Sequence, residues 1–235
     1  MNRLLVPGAA QGQVRLTGLK AHKLVHVLRS RTGDALEVFD GAGAAFDASV
    51  VEVGEGLVVL ALGPARRAPG LRPVTIVQAL PKGDRLEWVL EKGTELGASA
   101  FWPVVSERTV VKLSGREEVK RARWQRVVDE AARQCGRTEV PTVHAPGPLL
   151  EVARQLGGQV LVLDEEERTL RLSDAAGVGP LALVVGPEGG LARAEVAALV
   201  AGGAVTVSLG PAILRTETAA LAALAVLRHL EGTLG

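Results

Sequence analysis

Two short stretches set polar residues that could do chemistry directly against apolar runs. VVGPEGG (184–190) and VSLGPAILRTET (207–218) each place a Gly-Pro turn straight after a strand-like segment. A glycine at such an exit lets a ligand approach the backbone closely, and proline stiffens the turn. Either loop alone reads better as a simple tight strand-to-helix turn. Two of them together predict a preformed slot with exposed amides and carbonyls. Glu188 stands inside the first loop, and Arg215, Thr216, Glu217 and Thr218 crowd the end of the second. No strand is followed by a phosphate-binding glycine motif, and Glu188 would repel phosphate, so the slot suits a neutral or cationic ligand.

Other chemistry is poorly supported. His22, His26, His144 and His229 are scattered without metal-ligand spacing, so no metal is expected. The single cysteine, Cys135, excludes an intramolecular disulfide. It is expected in the core, on a helix face shared with Val127, Val128, Ala131 and Ala132.

The elements that would position these loops follow from hydrophobic periodicity. Residues 1–70 predict a small β-rich unit, with a helix at about 20–30 and strands at 35–40, 45–53 and 57–63. The Gly-, Pro- and Arg-rich segment 63–73 predicts a boundary. Beyond it, strands and helices alternate: strands at 74–80, 99–106, 159–166, 181–190 and 204–210, and helices at 83–97, up to Cys135, at 192–201 and at the C-terminal end. Ser114 and Glu117 have the spacing of a capping box. Short, continuously apolar strands suit a parallel sheet covered on both faces. The fold class is therefore α/β with a β-rich first domain, and the second domain, 74–235, is an open α/β unit whose ligands would sit beyond the strand ends.

Of 235 residues, 47% are hydrophobic, enough for a substantial core. No apolar run reaches the roughly 18 residues of a membrane span, and the apolar run in MNRLLVPGAA is too short for a secretory signal, so a cytoplasmic protein is expected. The net charge of +1 is unevenly spread. Residues 108–137 carry nine Lys and Arg against four Asp and Glu, and 151–235 carry six against ten. Arg123, Arg126, Arg133 and Arg137, with Arg108 and Lys112 ahead of them, make a basic face suited to an anionic partner or to simple solvation.

HKLVHVLR (22–29), VFDG (38–41), KGDRLEWVLEKGTELG (82–97), SERTVVK (106–112), EAARQCGRTEVP (130–141), VVGPEGGL and SLGPAILRTETA occur in an order that resembles the RsmE family of SPOUT RNA methyltransferases. The resemblance covers almost the whole chain. It implies a PUA-like RNA-binding β-barrel over 1–70 and a SPOUT domain over 74–235, with a deep trefoil knot within about 159–235. It implies a homodimer that uses S-adenosylmethionine to methylate N3 of a specific uridine in 16S ribosomal RNA of the small subunit. Another RNA, such as transfer RNA, or a non-catalytic RNA-binding role are the alternatives.

Carried onto this chain, the cofactor pocket would use Leu163, Gly186, Pro187, Glu188, Gly190, Leu209, Gly210, Ile213, Leu214, Arg215 and Thr218. Arg215 would stabilise the uracil anion, and Glu188 or Glu217 would accept the N3 proton. RNA would be held by Arg3, His22 and Arg29 in the first domain and by Lys82, Arg85, Arg108 and Arg137 in the second. Lys23 replaces a second family histidine, and His26 stands where a basic residue is common. Ala192 replaces a frequent hydroxyl N-cap, a loss of about 1 kcal/mol.

Overall fold

The computed structural model describes residues 2–111, 115 and 117–234. Contacts divide the chain into two units. One runs to Gly70 and adds Ala132–Val140; the other comprises Leu71–Ala131 and the chain from Pro141 onward.

In the first unit, β1 (Arg3–Leu5), β2 (Gly12–Thr17), β3 (Ala35–Phe39), β4 (Ala44–Gly54) and β5 (Leu57–Arg67) form one sheet in the order β1-β3-β4-β5-β2. Strand β4 buries Ala44, Phe46, Ala48 and Val50 in alternation, as a sheet with one wet face requires. Register shifts at Phe46/Ala48 and Val50/Glu52 bend the β4–β5 pair. Helix α1 (Gly18–His22) continues into a π-helical turn, Lys23–Val27, and Leu24 closes the core against Leu36, Val38 and Leu60. Strands β1 and β2 were not predicted. RLL is too short to show a period, and GQVRLT is mostly exposed.

Arg3, an expected RNA contact, is engaged within its own unit. Its Nε donates to Glu37 Oε1 at 2.6 Å, and its Nη atoms donate to the carbonyls of Ala132, Arg133 and Arg137. The Ala132 and Arg133 carbonyls belong to the last turn of α3 and the Arg137 carbonyl lies just beyond it, so the guanidinium sits at the negative end of the helix.

The second unit contains β6 (Val74–Ala79), α2 (Arg85–Glu95), β7 (Ala100–Val105), α3 (Glu117–Cys135, its last four residues grouping with the first unit), β8 (Thr142–Val143), β9 (Gly147–Pro148), α4 (Leu149–Ala153), β10 (Gln159–Leu163), α5 (Leu172–Ala175), β11 (Leu181–Val185), α6 (Arg193–Ala201), β12 (Val205–Val207) and α7 (Thr216–Leu230). Its sheet runs β12-β10-β11-β6-β7-β8, with β9 also on β7, and every pairing is parallel. On one face Val77, Val104, Val162 and Val184 pack with Leu149 and Val152 of α4 and Val196 and Leu199 of α6. On the other face α2 comes so close that a Cβ at Gly93 would lie 2.7 Å from Phe101. Burial on both faces explains why these strands read as unbroken apolar runs.

Two expectations change. Cys135 is exposed, because the apolar stripe of α3 is covered only as far as Ala132. The missing N-cap hydroxyl at Ala192 is compensated by Glu195. Its Oε2 accepts the Ala192 N–H at 3.0 Å, and its Oε1 accepts the Glu107 N–H at 2.8 Å. The Ser114 capping box and Lys112 lie outside the described residues. Among the described residues no helix is long and apolar enough to cross a membrane.

Candidate active site

Leu163, Val185 and Val207 are register partners at the ends of three adjacent parallel strands. The chain therefore leaves β10, β11 and β12 at one level, and the three following loops converge on a cavity of about 400 Å3. That size lies within the range of small-molecule sites.

The β11 exit is held from three sides. The Gly186 carbonyl accepts a hydrogen bond from Thr216 Oγ1, whose oxygen also accepts from Gln78 Nε2 at 2.7 Å. Gln78 and Thr216 are both buried, so this chain of bonds ties α7 to β6 and to the loop. The Gly189 carbonyl accepts from Arg108 Nη1 at 2.8 Å. Glu188 Oε1 accepts from the Lys82 backbone N–H at 3.0 Å and from Arg85 Nη1 at 2.7 Å. Gly190, at φ +67°, closes the turn onto the Pro187 carbonyl; a Cβ there would meet Glu165 Oε1 at 3.0 Å. At Gly186 a Cβ would meet the Leu191 nitrogen at 3.0 Å. Both glycines are thus required by the backbone path.

The β10 exit is a polar knot of side chains. Both Asp164 oxygens accept from Arg193 at 2.8 Å. That pairing holds the Asp164 carboxyl below the usual range, against the opposing effect of burial. Glu167 accepts from the Thr169 hydroxyl, the Thr169 and Leu170 N–H groups and the Thr206 hydroxyl. Those bonds push its pKa down to about 2. A depressed carboxylate stabilises the fold fully above its unfolded value of 4.5, and the contribution fades as pH falls towards 2. In urea melts, Glu167→Gln is therefore expected to lower the midpoint by a constant amount above about pH 4.5, and the gap should narrow on acidification. A gap that stays constant to pH 3 would refute the assignment.

The third loop supplies an aliphatic wall. Leu209, Ile213 and Leu214 line the cavity, with Ile213 75% exposed. Gly210, at φ +117°, turns the chain. Arg215 is the N-cap of α7, exposed, and its side chain makes no hydrogen bond or ion pair among the described residues.

Of the residues expected to bind a cofactor, all but Thr218 line the cavity. Thr218 is exposed on α7. Glu217 does not line it either: its carboxylate lies behind Arg85, with Oε1 3.8 Å from Arg85 Nε and Oε2 buried without a partner. Arg85, expected on RNA, is itself a cavity residue. Thr216, noted above beside Arg215, lines the cavity too, and so do Asp164, Glu165, Arg168 and Arg193, which were not among the expected site residues. The acidic run DEE directly after the 159–163 strand was the available signal for the first two.

Similarity to known proteins places the chain in a family. An RNA methyltransferase domain model matches residues 69–228, and an RNA methyltransferase PUA domain model matches 18–62. The ribosomal RNA small subunit methyltransferase E of Bacillus subtilis is 37% identical over 229 residues, covering 91% of this chain and 89% of that protein. The chain belongs to the ribosomal RNA small subunit methyltransferase E family. The family member of Mycobacterium bovis is 44% identical over 210 residues, covering 84% of this chain and 79% of that protein. The crystal structure of the family member from Neisseria gonorrhoeae, bound to S-adenosyl methionine, superposes with a TM-score of 0.89 at 32% identity and 98% coverage of both chains. The five-stranded sheet is thus the PUA domain of this family, and the parallel-sheet unit is its methyltransferase domain.

Proposed function

We propose that the protein binds S-adenosylmethionine in this cavity and methylates N3 of a specific uridine in 16S ribosomal RNA of the small subunit. The observation that carries this reading is the make-up of the cavity: an aliphatic wall, a fixed carboxylate at Glu188 and an unpaired cation at Arg215. The wall made by Leu209, Ile213 and Leu214 suits the faces of an adenine, and the exposed backbone of 186–190 and 209–214 suits its polar edge. The ionised Glu188 opposes a positively charged cofactor. When bound, S-adenosylmethionine supplies an electrophilic methyl group.

Uracil N3 is a nucleophile only once its weakly acidic proton has left. Arg215, free of any carboxylate partner among the described residues, favours the deprotonated base by placing a fixed positive charge where negative charge develops. Of the two candidate proton acceptors, Glu188 alone borders the cavity. Burial acts to raise its pKa, but the Lys82 N–H, its own N–H and the charges of Arg85 and Lys82 outweigh this and hold it low. A carboxylate so held is a weak base, so we assign Glu188 to charge opposition and the N3 proton leaves to solvent water as the base meets Arg215. The target base must leave its stack to enter a cavity of this kind.

For RNA contact we retain His22 and Arg29 in the PUA domain. Both are exposed, and His26 lies against His22 at 4.5 Å between ring centroids. Arg29 holds φ +54°, uncommon for a residue other than glycine, with no side-chain partner among the described residues. In the methyltransferase domain we retain Lys82, Arg108 and Arg137. Arg3 and Arg85 act by organising their own neighbourhoods. We place the trefoil knot within 159–235, where α7 returns from the edge strand β12 to pack on β11, β6 and α2. Exposed Val226 and Leu230 on α7 suit burial in a homodimer. A ribosomal RNA substrate implies a cytoplasmic location.

The test is methyl transfer to small subunits from a strain lacking the enzyme, compared with naked 16S ribosomal RNA and transfer RNA. We expect a single product, N3-methyluridine, in 16S ribosomal RNA. Mapping the methyl group to another base, to ribose or to transfer RNA would overturn the reading.

A further inference from the structure

The cavity contains more charge than a methyl-donor site requires, and its charges are not equally free. Asp164 is neutralised through both oxygens by Arg193. Glu165 is exposed and its side chain makes no hydrogen bond among the described residues. Arg168 and Arg215 are cations without carboxylate partners among the described residues. Glu188 differs from all of these. Its Oε1 takes hydrogen bonds from the Lys82 N–H and Arg85, its own N–H adds to the hold, and the side chain remains 31% exposed. The carboxylate is immobilised and still borders the cavity.

Arg85 is fixed in turn. It lies between two carboxylates, Glu188 at 2.7 Å and Glu217 at 3.8 Å. Glu217 belongs to the first turn of α7 and its Oε2 is buried without a partner. Among the described residues Arg85 is the charged partner of Glu217, so the carboxylate holds the guanidinium in place. The three side chains form a line, Glu217–Arg85–Glu188, leading from the α2–α7 contact into the cavity.

We propose that Glu188 is the residue by which this enzyme prefers the charged sulfonium of its cofactor over the neutral thioether of its product, S-adenosylhomocysteine, and that Arg85, backed by Glu217, is the positioning residue that keeps it aimed and ionised. The proposal rests on the S-adenosylmethionine reading above. The two ligands share adenosine, carboxylate and ammonium, and differ in the methyl group and the charge on sulfur. A fixed anion therefore separates them where shape hardly can, and it favours product release after each transfer. The low pKa of Glu188 agrees with this role: the anion persists across the whole neutral range.

Calorimetry on the intact protein with each ligand tests the idea. Glu188→Gln keeps size and hydrogen bonding but removes the charge. The ratio of affinities for S-adenosylmethionine over S-adenosylhomocysteine is expected to fall about tenfold, with the thermal melt retained. Arg85→Gln is expected to keep the ratio at neutral pH and lose it as pH falls through the ordinary glutamate value near 4.5, where the wild type holds it. Glu217→Gln should shift the same profile in the same direction by less. An unchanged ratio in Glu188→Gln, or a ratio that falls in Glu165→Gln instead, would overturn the proposal. If the wild type binds neither ligand, it is the cofactor reading that fails.

Discussion

Arg215→Ala is expected to cut methyl transfer by about 100- to 1,000-fold, the usual cost of removing one preorganised charge-stabilising donor, while S-adenosylmethionine affinity changes by about threefold or less. The split follows from how Arg215 is held. Its backbone caps α7, with the Ala219 N–H donating to the Arg215 carbonyl at 2.8 Å, so loop and helix stay anchored without the guanidinium. The neighbouring Thr216 keeps its bonds to Gly186 and Gln78. What is lost is the cation, which has no structural partner among the described residues to miss it. Arg215→Lys keeps a charge but not the planar fork and should recover only part of the rate. Turnover on small subunits and calorimetry on the same preparations measure the two effects. Equal losses in both would make Arg215 a cofactor-binding residue, and an unchanged rate would remove it from the mechanism.

Arg228→Ala is expected to destabilise the methyltransferase domain by about 3–5 kcal/mol, the cost of breaking a buried ion pair from one side. Arg228 is 1% exposed. Its Nη1 donates to Glu231 Oε2 at 2.6 Å, and its Nη2 donates to the carbonyls of Arg72 and Gly97 at 2.8 and 2.6 Å. Glu231 also pairs with Arg72. The site exists because the chain turns sharply after α2, at Gly97 (φ +97°), where a helix end leaves carbonyls without donors. A Cβ at Gly97 would lie 2.7 Å from Leu71 Cδ1 and 3.0 Å from Arg228 Nε, so the close approach of the guanidinium depends on the glycine. Arg228→Met preserves the aliphatic stem and should recover a minor part of the loss, separating packing from hydrogen bonding. The measurement is urea unfolding followed by the tryptophans of this domain. A shift under about 1 kcal/mol would show that the network adds nothing beyond its own desolvation.

Much of the site was legible in the sequence because its requirements are local. Gly-Pro after an apolar run marks a stiff strand exit wherever it occurs, and the absent phosphate motif together with Glu188 pointed to a ligand that is not an anion. The parallel sheet was legible for the same reason: strands buried on both faces carry no polar alternation. The short β1 and β2 were not, since three residues or a half-exposed strand leave no period to read. Cys135 shows the limit of a periodic argument. Spacing names the face of a helix but not how far along it the partner reaches.

Partner choice among charged groups was decided by tertiary structure alone. Arg3, Arg85, Arg215 and Arg228 are equivalent as letters, each a cation able to meet a phosphate. The fold makes Arg3 a cap on the end of α3, Arg85 a clamp on Glu188, Arg228 a buried brace, and leaves Arg215 at the cavity without a partner among the described residues. Glu188 and Glu217 were likewise interchangeable candidates until the helix carrying one placed it behind Arg85 and the loop carrying the other placed it in front. A charge takes its role from what lies within about 4 Å of it, and partners 103 to 156 positions away in the chain cannot be read from local pattern. The sequence determined where the backbone would turn and what it would exclude; the packing of α7 against α2 and β6 determined which charges remain free to act.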